Sequence, residues 1–381
     1  MSAAPQSHPF DSVETPLVLV RRDGAITHLT LNRPRAINAL NSDMFARLAA
    51  AVSAAQHDGS HAILLDGAGD RGFCGGGDVK ELSQGSARTI LANEYRLDYA
   101  ISTSAPPVVG IMDGITMGGG IGLTGHAAIR VVTERSRLAM PEARIGIVPD
   151  VGGHLLLAAA PERLGEMLAV SAGDMAAGDA IALGFADVFV PAERLPQLQA
   201  ALAAGADSQA AVDGVAEPAP ASAILDARDW WSPIAASVFG AQEPPASEDP
   251  AGAALRLIRA LEASDDADAG RLAAVVRTMS PTSVAVTLAQ LDRTRRRALS
   301  LADVLADDLR TLGRLAALPD FAEGVRAQVI DKDRNPRWSP ARIEDLDDAV
   351  LAGILDPEAH ADEQPLDLEV RRPRSADAGR G

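Results

Sequence analysis

Two glycine clusters, each placed directly after a strand-like run, constrain this chain most. Residues 62–65 and 107–112 are short apolar runs that read as buried strands. They lead into Phe73-Cys74-Gly75-Gly76-Gly77-Asp78 and Met117-Gly118-Gly119-Gly120. Strands ending in glycine loops and alternating with helical patterning predict an α/β core with its ligand at the strand ends. Glycine lets a backbone N–H approach a ligand closely, so two such loops can offer two N–H donors to one oxygen. A third segment, from Met140-Pro141-Glu142 to Pro149-Asp150-Val151-Gly152-Gly153, adds two carboxylates eight residues apart. Paired donors with nearby carboxylates suit attack on, or enolisation of, an acyl carbonyl.

The remaining pattern fits that core. Asp23-Gly24 between residues 17–20 and 25–31 signals a hairpin. Asn41-Ser42 caps a helix with Met44, Leu48 and Val52 at four-residue spacing. Residues 205–250 are Ala-, Gly- and Pro-rich with an acidic break, and are expected to be a linker or surface segment. Residues 251–357 carry helical patterning, and residues 358–381 read as a disordered tail. The core is expected over residues 14–204.

A net charge of −17 argues against a nucleic-acid or anionic-membrane partner. No apolar run is long enough to suggest a membrane span. The lone cysteine, Cys74, excludes an internal disulfide and a cysteine metal cage. Residues 1–15 show neither a secretory nor a transit pattern, so a cytoplasmic protein is expected.

Gly67, Gly69 and Gly72 satisfy G-x-G-x-x-G after a strand, but no helix opens within them, and a dinucleotide site requires one. His126 and His154 lack a G-x-S-x-G elbow, no histidine is placed beside Cys74, and a calcium loop from Asp265 lacks its ligands.

The two glycine segments resemble the oxyanion loops of the crotonase (enoyl-CoA hydratase/isomerase) superfamily. The stretch Asn32-Arg33-Pro34-Arg35-Ala36-Ile37-Asn38-Ala39-Leu40 resembles the family's segment beside coenzyme A. The resemblance implies a spiral ββα-type core, with Gly77 and Gly119 donating N–H groups to a thioester oxygen. It also implies substrate contacts at Arg35, Ala36, Ile37, Asp78, Val79 and Gly118. Hydratases of this family use two glutamates, and the first falls here on Gly122, the second on Glu142. Asp150 stands where hydratases have glycine.

The pattern around Glu142 and Asp150 instead resembles the 3-hydroxyisobutyryl-CoA hydrolase branch. So do Ser280-Pro281-Thr282-Ser283, the run from Asp320 to Ala327, and Ile330-Asp331-Lys332-Asp333 with Pro336-Arg337-Trp338. Asn93-Glu94-Tyr95 resembles a substrate-contacting segment with Glu94 at its carboxylate. The implied reaction is thioester hydrolysis, with Glu142 as base or nucleophile, Asp150 orienting substrate or water, and no cofactor apart from the coenzyme A of the substrate. Family members commonly trimerise, so a homo-oligomer is a further expectation. A hydratase or isomerase on the same fold, and a silent acyl-CoA-binding protein, are the competing readings.

Overall fold

The computed structural model describes residues 16–84, 87–361 and 363–368. Asp23-Gly24 turns β1 (Val18–Asp23) into β2 (Ile26–Leu31) as an antiparallel hairpin. In chain order follow β3 (Ala62–Gly67), β4 (Val108–Met112), β5 (Ile115–Met117), β6 (Ile129–Val132), β7 (Arg137–Ala139), β8 (Asp174–Met175) and β9 (Val188–Phe189). Six strands form one sheet in the order β1-β2-β3-β4-β6-β9, parallel beyond the hairpin. The other three form a small sheet, β5-β7-β8. The chain leaves the large sheet after β4, crosses to β5, returns at β6 and leaves again for β7, which is the expected spiral.

Local chemistry sets the helices. The Met44 N–H donates to the Asn41 side chain at 3.0 Å, starting the Ser42–Ala55 helix, and Met44, Leu48 and Val52 are buried on its inner face. The C-terminal part is helical, as its patterning implies, with Pro250–Ala263, Ala267–Val276, Pro281–Arg297, Leu301–Leu315, Pro319–Val325 and Asp348–Leu355. These helices share a continuous hydrophobic cluster with the core: Tyr95, Ile121 and Val148 pack in it with Leu257, Leu288, Leu312 and Phe321.

Two segments are more ordered than their composition implies. Within residues 205–250 the Arg228–Phe239 helix buries Trp231 completely, and its indole N–H bonds the Arg163 carbonyl at 3.1 Å. Side-by-side tryptophans and Pro233 obscure the helical period there. Beyond residue 357, Glu363 is held between Arg88 at 2.7 Å and Arg314 at 2.8 Å, with its side chain only 5% exposed. Leu366 adds an apolar contact to the main cluster. The expected tail from residue 369 onward lies outside the described residues, as do residues 14–15 of the expected core.

The C-terminal region also braces one short turn of the core, the 3-10 helix Glu142–Ile145. The Ser280 N–H donates to the Ala143 carbonyl at 3.1 Å. The Ser280 hydroxyl donates to one Asp320 oxygen at 2.7 Å, and the Ser339 N–H donates to the other at 2.7 Å. Gly146, at φ +78°, meets the Asp320 backbone, and a Cβ on Gly324 would lie 2.5 Å from the Ile145 carbonyl carbon. Gly324→Ala is therefore expected to cost about 1–3 kcal/mol, because the neighbour it strikes is backbone. Urea unfolding would read this as a lower midpoint at unchanged m.

Candidate active site

The first glycine loop is pinned on two sides. The Gly75 N–H donates to the Ile37 carbonyl at 2.7 Å, Leu40 N–H to Gly76 at 2.9 Å, and Asp78 N–H to Leu40 at 2.7 Å. The buried Asn38 amide bonds the Ala68 and Phe73 carbonyls, each at 3.0 Å. On the other side Cys74 pairs with β5 through Ile115 at 3.1 Å and Met117 at 3.0 Å. This stitching leaves the Gly77 N–H with no acceptor among the described residues. The Gly119 N–H, first in the Gly119–Gly125 helix, has none either. A Cβ on Gly119 would sit 3.3 Å from the Gly77 nitrogen, so the two glycines adjoin.

Both glycines border a cavity of about 100 Å³, together with Gly118, Val79, Glu94, Glu142 and Asp150. Glu142 opens its 3-10 turn directly after Pro141, and one oxygen would lie 2.9 Å from a Cβ on Gly118. Its other oxygen has no hydrogen-bond partner among the described residues. Asp150 accepts the Tyr95 hydroxyl at 2.6 Å. Glu94 comes from the same Ala87–Ser102 helix as Tyr95.

Three buried carboxyls cannot all ionise in so small a space. Burial, then the charge of Asp150, pushes Glu94 and Glu142 well above the usual carboxylate range. Burial, then Asp308, raises Asp150 to about 7 in spite of the Tyr95 bond. The group titrates jointly and retains protons at neutral pH.

The other expected contacts sit apart. Arg35 and Ala36, on the Pro34–Ala36 turn, and Ile37 after it do not line the cavity; Ile37 braces the back of the loop. Asp78 directs its side chain to neighbours within the protein. Its carboxylate pairs with Arg33 at 2.8 Å and accepts the Lys80 N–H at 3.2 Å, which starts the Val79–Gln84 helix. Although burial opposes it, these bonds hold Asp78 below the ordinary range.

Gly67, Gly69 and Gly72 line a different cavity of about 230 Å³ that shares no residue with the first. Burial pushes the Cys74 thiol up to about 12, which removes it as a nucleophile. Burial lowers His126 to about 4, so it stays neutral. Among the described residues no group of three or more His, Cys, Asp or Glu is arranged to hold a metal.

The sequence reading missed Asp98, one turn beyond Glu94. It is 0% exposed, and neither oxygen has a partner among the described residues. A Cβ on Gly122 would lie 2.8 Å from an Asp98 oxygen and 2.8 Å from the Val151 Cβ. Gly122 is therefore more than an absent glutamate: the space beside it is already filled. One signal was available, since Leu91, Glu94, Tyr95, Asp98 and Ile101 follow a buried helical stripe that two acids interrupt.

The enoyl-CoA hydratase/isomerase family profile matches residues 26–355. The chain belongs to that family. Within it, relatives spanning nearly its whole length put it in the 3-hydroxyisobutyryl-CoA hydrolase branch. It is 35% identical over 355 residues to the mitochondrial 3-hydroxyisobutyryl-CoA hydrolase of Rattus norvegicus, covering 89% of this chain and 88% of that protein. Against the Gallus gallus enzyme of the same name the identity is 33%, covering 89% of each. A crystal structure described as a carnitinyl-CoA dehydratase from Mycobacterium thermoresistibile superposes with a TM-score of 0.84 at 35% identity, covering 93% of this chain and all of that one. The crotonase fold expected from the glycine loops is thus the observed one.

The cytoplasmic expectation is corrected by the same relatives, whose names place them in the mitochondrion. Its basis was the pattern of residues 1–15, which lie outside the described residues.

The Asp98 environment makes a prediction. Burial, then Glu94 and Asp150, keeps its proton on well above the usual carboxylate range, whereas an unfolded Asp releases it near pH ~4. Between those points the folded chain binds more protons, so stability falls as pH rises. Asp98→Asn removes that loss, and its melting-temperature gain over wild type is expected to grow by a few degrees from about pH 5 to 8. A gain that shrinks over the same range would mean that Asp98 is ionised and charge-paired.

Proposed function

We propose that this chain hydrolyses short 3-hydroxyacyl-CoA thioesters, 3-hydroxyisobutyryl-CoA foremost, releasing 3-hydroxyisobutyrate and coenzyme A as in valine degradation. The observation that carries this reading is the pairing of two N–H groups without acceptors with the unpartnered Glu142 oxygen across one cavity. The thioester oxygen lies against Gly77 and Gly119, where negative charge grows as the carbonyl carbon becomes tetrahedral. Such a donor is worth about 3–4 kcal/mol at the transition state.

Glu142 then acts in one of two ways. It takes a proton from water as that water adds to the carbonyl, or it adds directly and forms a mixed anhydride that water opens. By either route the C–S bond breaks, the thiolate takes a proton, and one water is consumed per thioester. Asp150 with its Tyr95 bond, and Glu94 beside it, meet the acyl tip and its hydroxyl. Val79 and Gly118 flank the thioester, and residues 35–37 lie on the coenzyme A side. Coenzyme A leaves as product, and the steps draw on no resident cofactor. Syn hydration needs a second acid–base group on the Gly119–Gly125 helix, and the Asp98 and Val151 side chains close that position.

Free-thiol release from 3-hydroxyisobutyryl-CoA tests the reading. Glu142→Gln is expected to lower kcat about 10³-fold, within the range for a positioned acid–base group. Because Glu142 acts ionised and its carboxyl is raised, activity is expected to fall with acid from near neutrality, where Asp150 also titrates at about 7. An acid limb near pH ~4, the value of a free carboxyl, would contradict the buried-carboxyl account. Loss of crotonyl-CoA absorbance without thiol release would favour hydration instead.

A further inference from the structure

Asp150 stands at the start of a strained turn. Val151 lies at φ +52° and Gly152 at φ +75°, and the Gly153 N–H folds back onto the Asp150 carbonyl at 2.6 Å. Val151 is β-branched and disfavours a positive φ, so neighbouring structure must hold it there. A side chain on Gly152 would strike His126 and the Leu301 side chain.

One side chain from the Leu301–Leu315 helix grips this turn. An Asp308 oxygen accepts the Gly152 N–H at 3.0 Å. Its other oxygen lies 2.8 Å from His154 Nε2, two residues further along the turn. His154 Nδ1 is 2.9 Å from the Thr294 hydroxyl, which fixes the ring. Asp308 and His154 are both fully buried and do not line the cavity.

We infer that Asp308 and His154 are a positioning pair for Asp150: the Asp308 carboxylate clamps the Gly152 N–H, and the His154 ring, fixed by Thr294, packs against its other oxygen and holds it there. The inference rests on the reading of Asp150 as the group that meets the acyl tip.

The surroundings make His154 necessary. Asp308 is faced by Asp307 on its own helix, by Tyr95 and Asp98 from Ala87–Ser102, and by Asp150 and Glu142 on the cavity side. Arg293, from Pro281–Arg297, faces His154 but is taken up by Asp307 at 2.5 Å, and His126 is neutral. Burial and then Asp307 raise Asp308, and His154 beside it opposes that rise. Conversely, although its own burial opposes it, Asp308 raises His154.

The test uses the full chain with Asp308→Ala, Asp308→Asn and His154→Gln. Two readouts are taken, thiol release from 3-hydroxyisobutyryl-CoA and hydrogen exchange at the Gly152 amide. Asp308→Ala is expected to lower kcat about tenfold or more while KM moves less than about threefold, with Gly152 exchange accelerating. Asp308→Asn keeps an oxygen for the Gly152 N–H and is expected to restore kcat to within about threefold of wild type. His154→Gln removes the ring that holds the Asp308 carboxylate in place, so Gly152 exchange is expected to accelerate and kcat to fall by less than in Asp308→Ala.

Unchanged kcat and unchanged Gly152 protection in Asp308→Ala would overturn the inference. Unchanged Gly152 exchange in His154→Gln would overturn the part played by His154. If the wild-type chain released no thiol, the hydrolase reading would fall. Gly152 exchange in Asp308→Ala would then decide the clamp alone, with lost protection supporting it and kept protection overturning it.

Discussion

A carboxyl can be pressed against a helix backbone only where that helix carries no side chain, and the Gly119–Gly125 helix meets this condition twice. Glu94 reaches the backbone at Gly119 and Asp98 reaches it at Gly122, one turn apart on each partner. The contact brings acidic side chains to within a few ångströms of the Gly77 and Gly119 N–H groups. It also makes the site expensive to fold. Carboxyls buried in this way are tolerated because they stay protonated, and desolvated charge is avoided. Protons held near neutral pH are also what an acid–base site needs, so the same burial serves the chemistry and weakens the fold.

The helical C-terminal region belongs to the site as much as the glycine loops do. Ser280, Asp320 and Gly324 brace the turn that carries Glu142, while Leu312 lines the cavity and Asp308 holds the turn after Asp150. The core therefore supplies the donors and carboxyls, and the distal helices fix where the carboxyls point. Motifs that look remote from the chemistry in sequence, such as Ser280-Pro281-Thr282-Ser283, owe their form to this bracing.

Much of this was legible in the amino-acid order. Glycine clusters after strands marked the two loops that border the cavity, since glycine lets backbone N–H groups approach a ligand closely. Glu142 and Asp150 were legible because a family pattern surrounds them. Asp98 and Asp308 were not, because each is an ordinary acid on an ordinary helix until packing shows what it faces. Trp231 and Glu363 were lost for a related reason. Low-periodicity composition and a charged tail both describe the local chain, and neither reports a partner more than 60 or 200 residues away.

The Glu363 bridge has a consequence for how the chain is made. The Ala87–Ser102 helix carries Glu94, Tyr95 and Asp98, yet its first turn is tied through Arg88 to a residue near the far end of the chain. Translation proceeds at roughly 5–20 residues per second, so some ten seconds or more separate the synthesis of that helix from that of its last anchor. The helices that cover its acidic face are made within that interval, and the strap follows them. Burial is what raises these carboxyls, and the helices that complete it are made after the core, so the proton-holding character of the site arises late in synthesis.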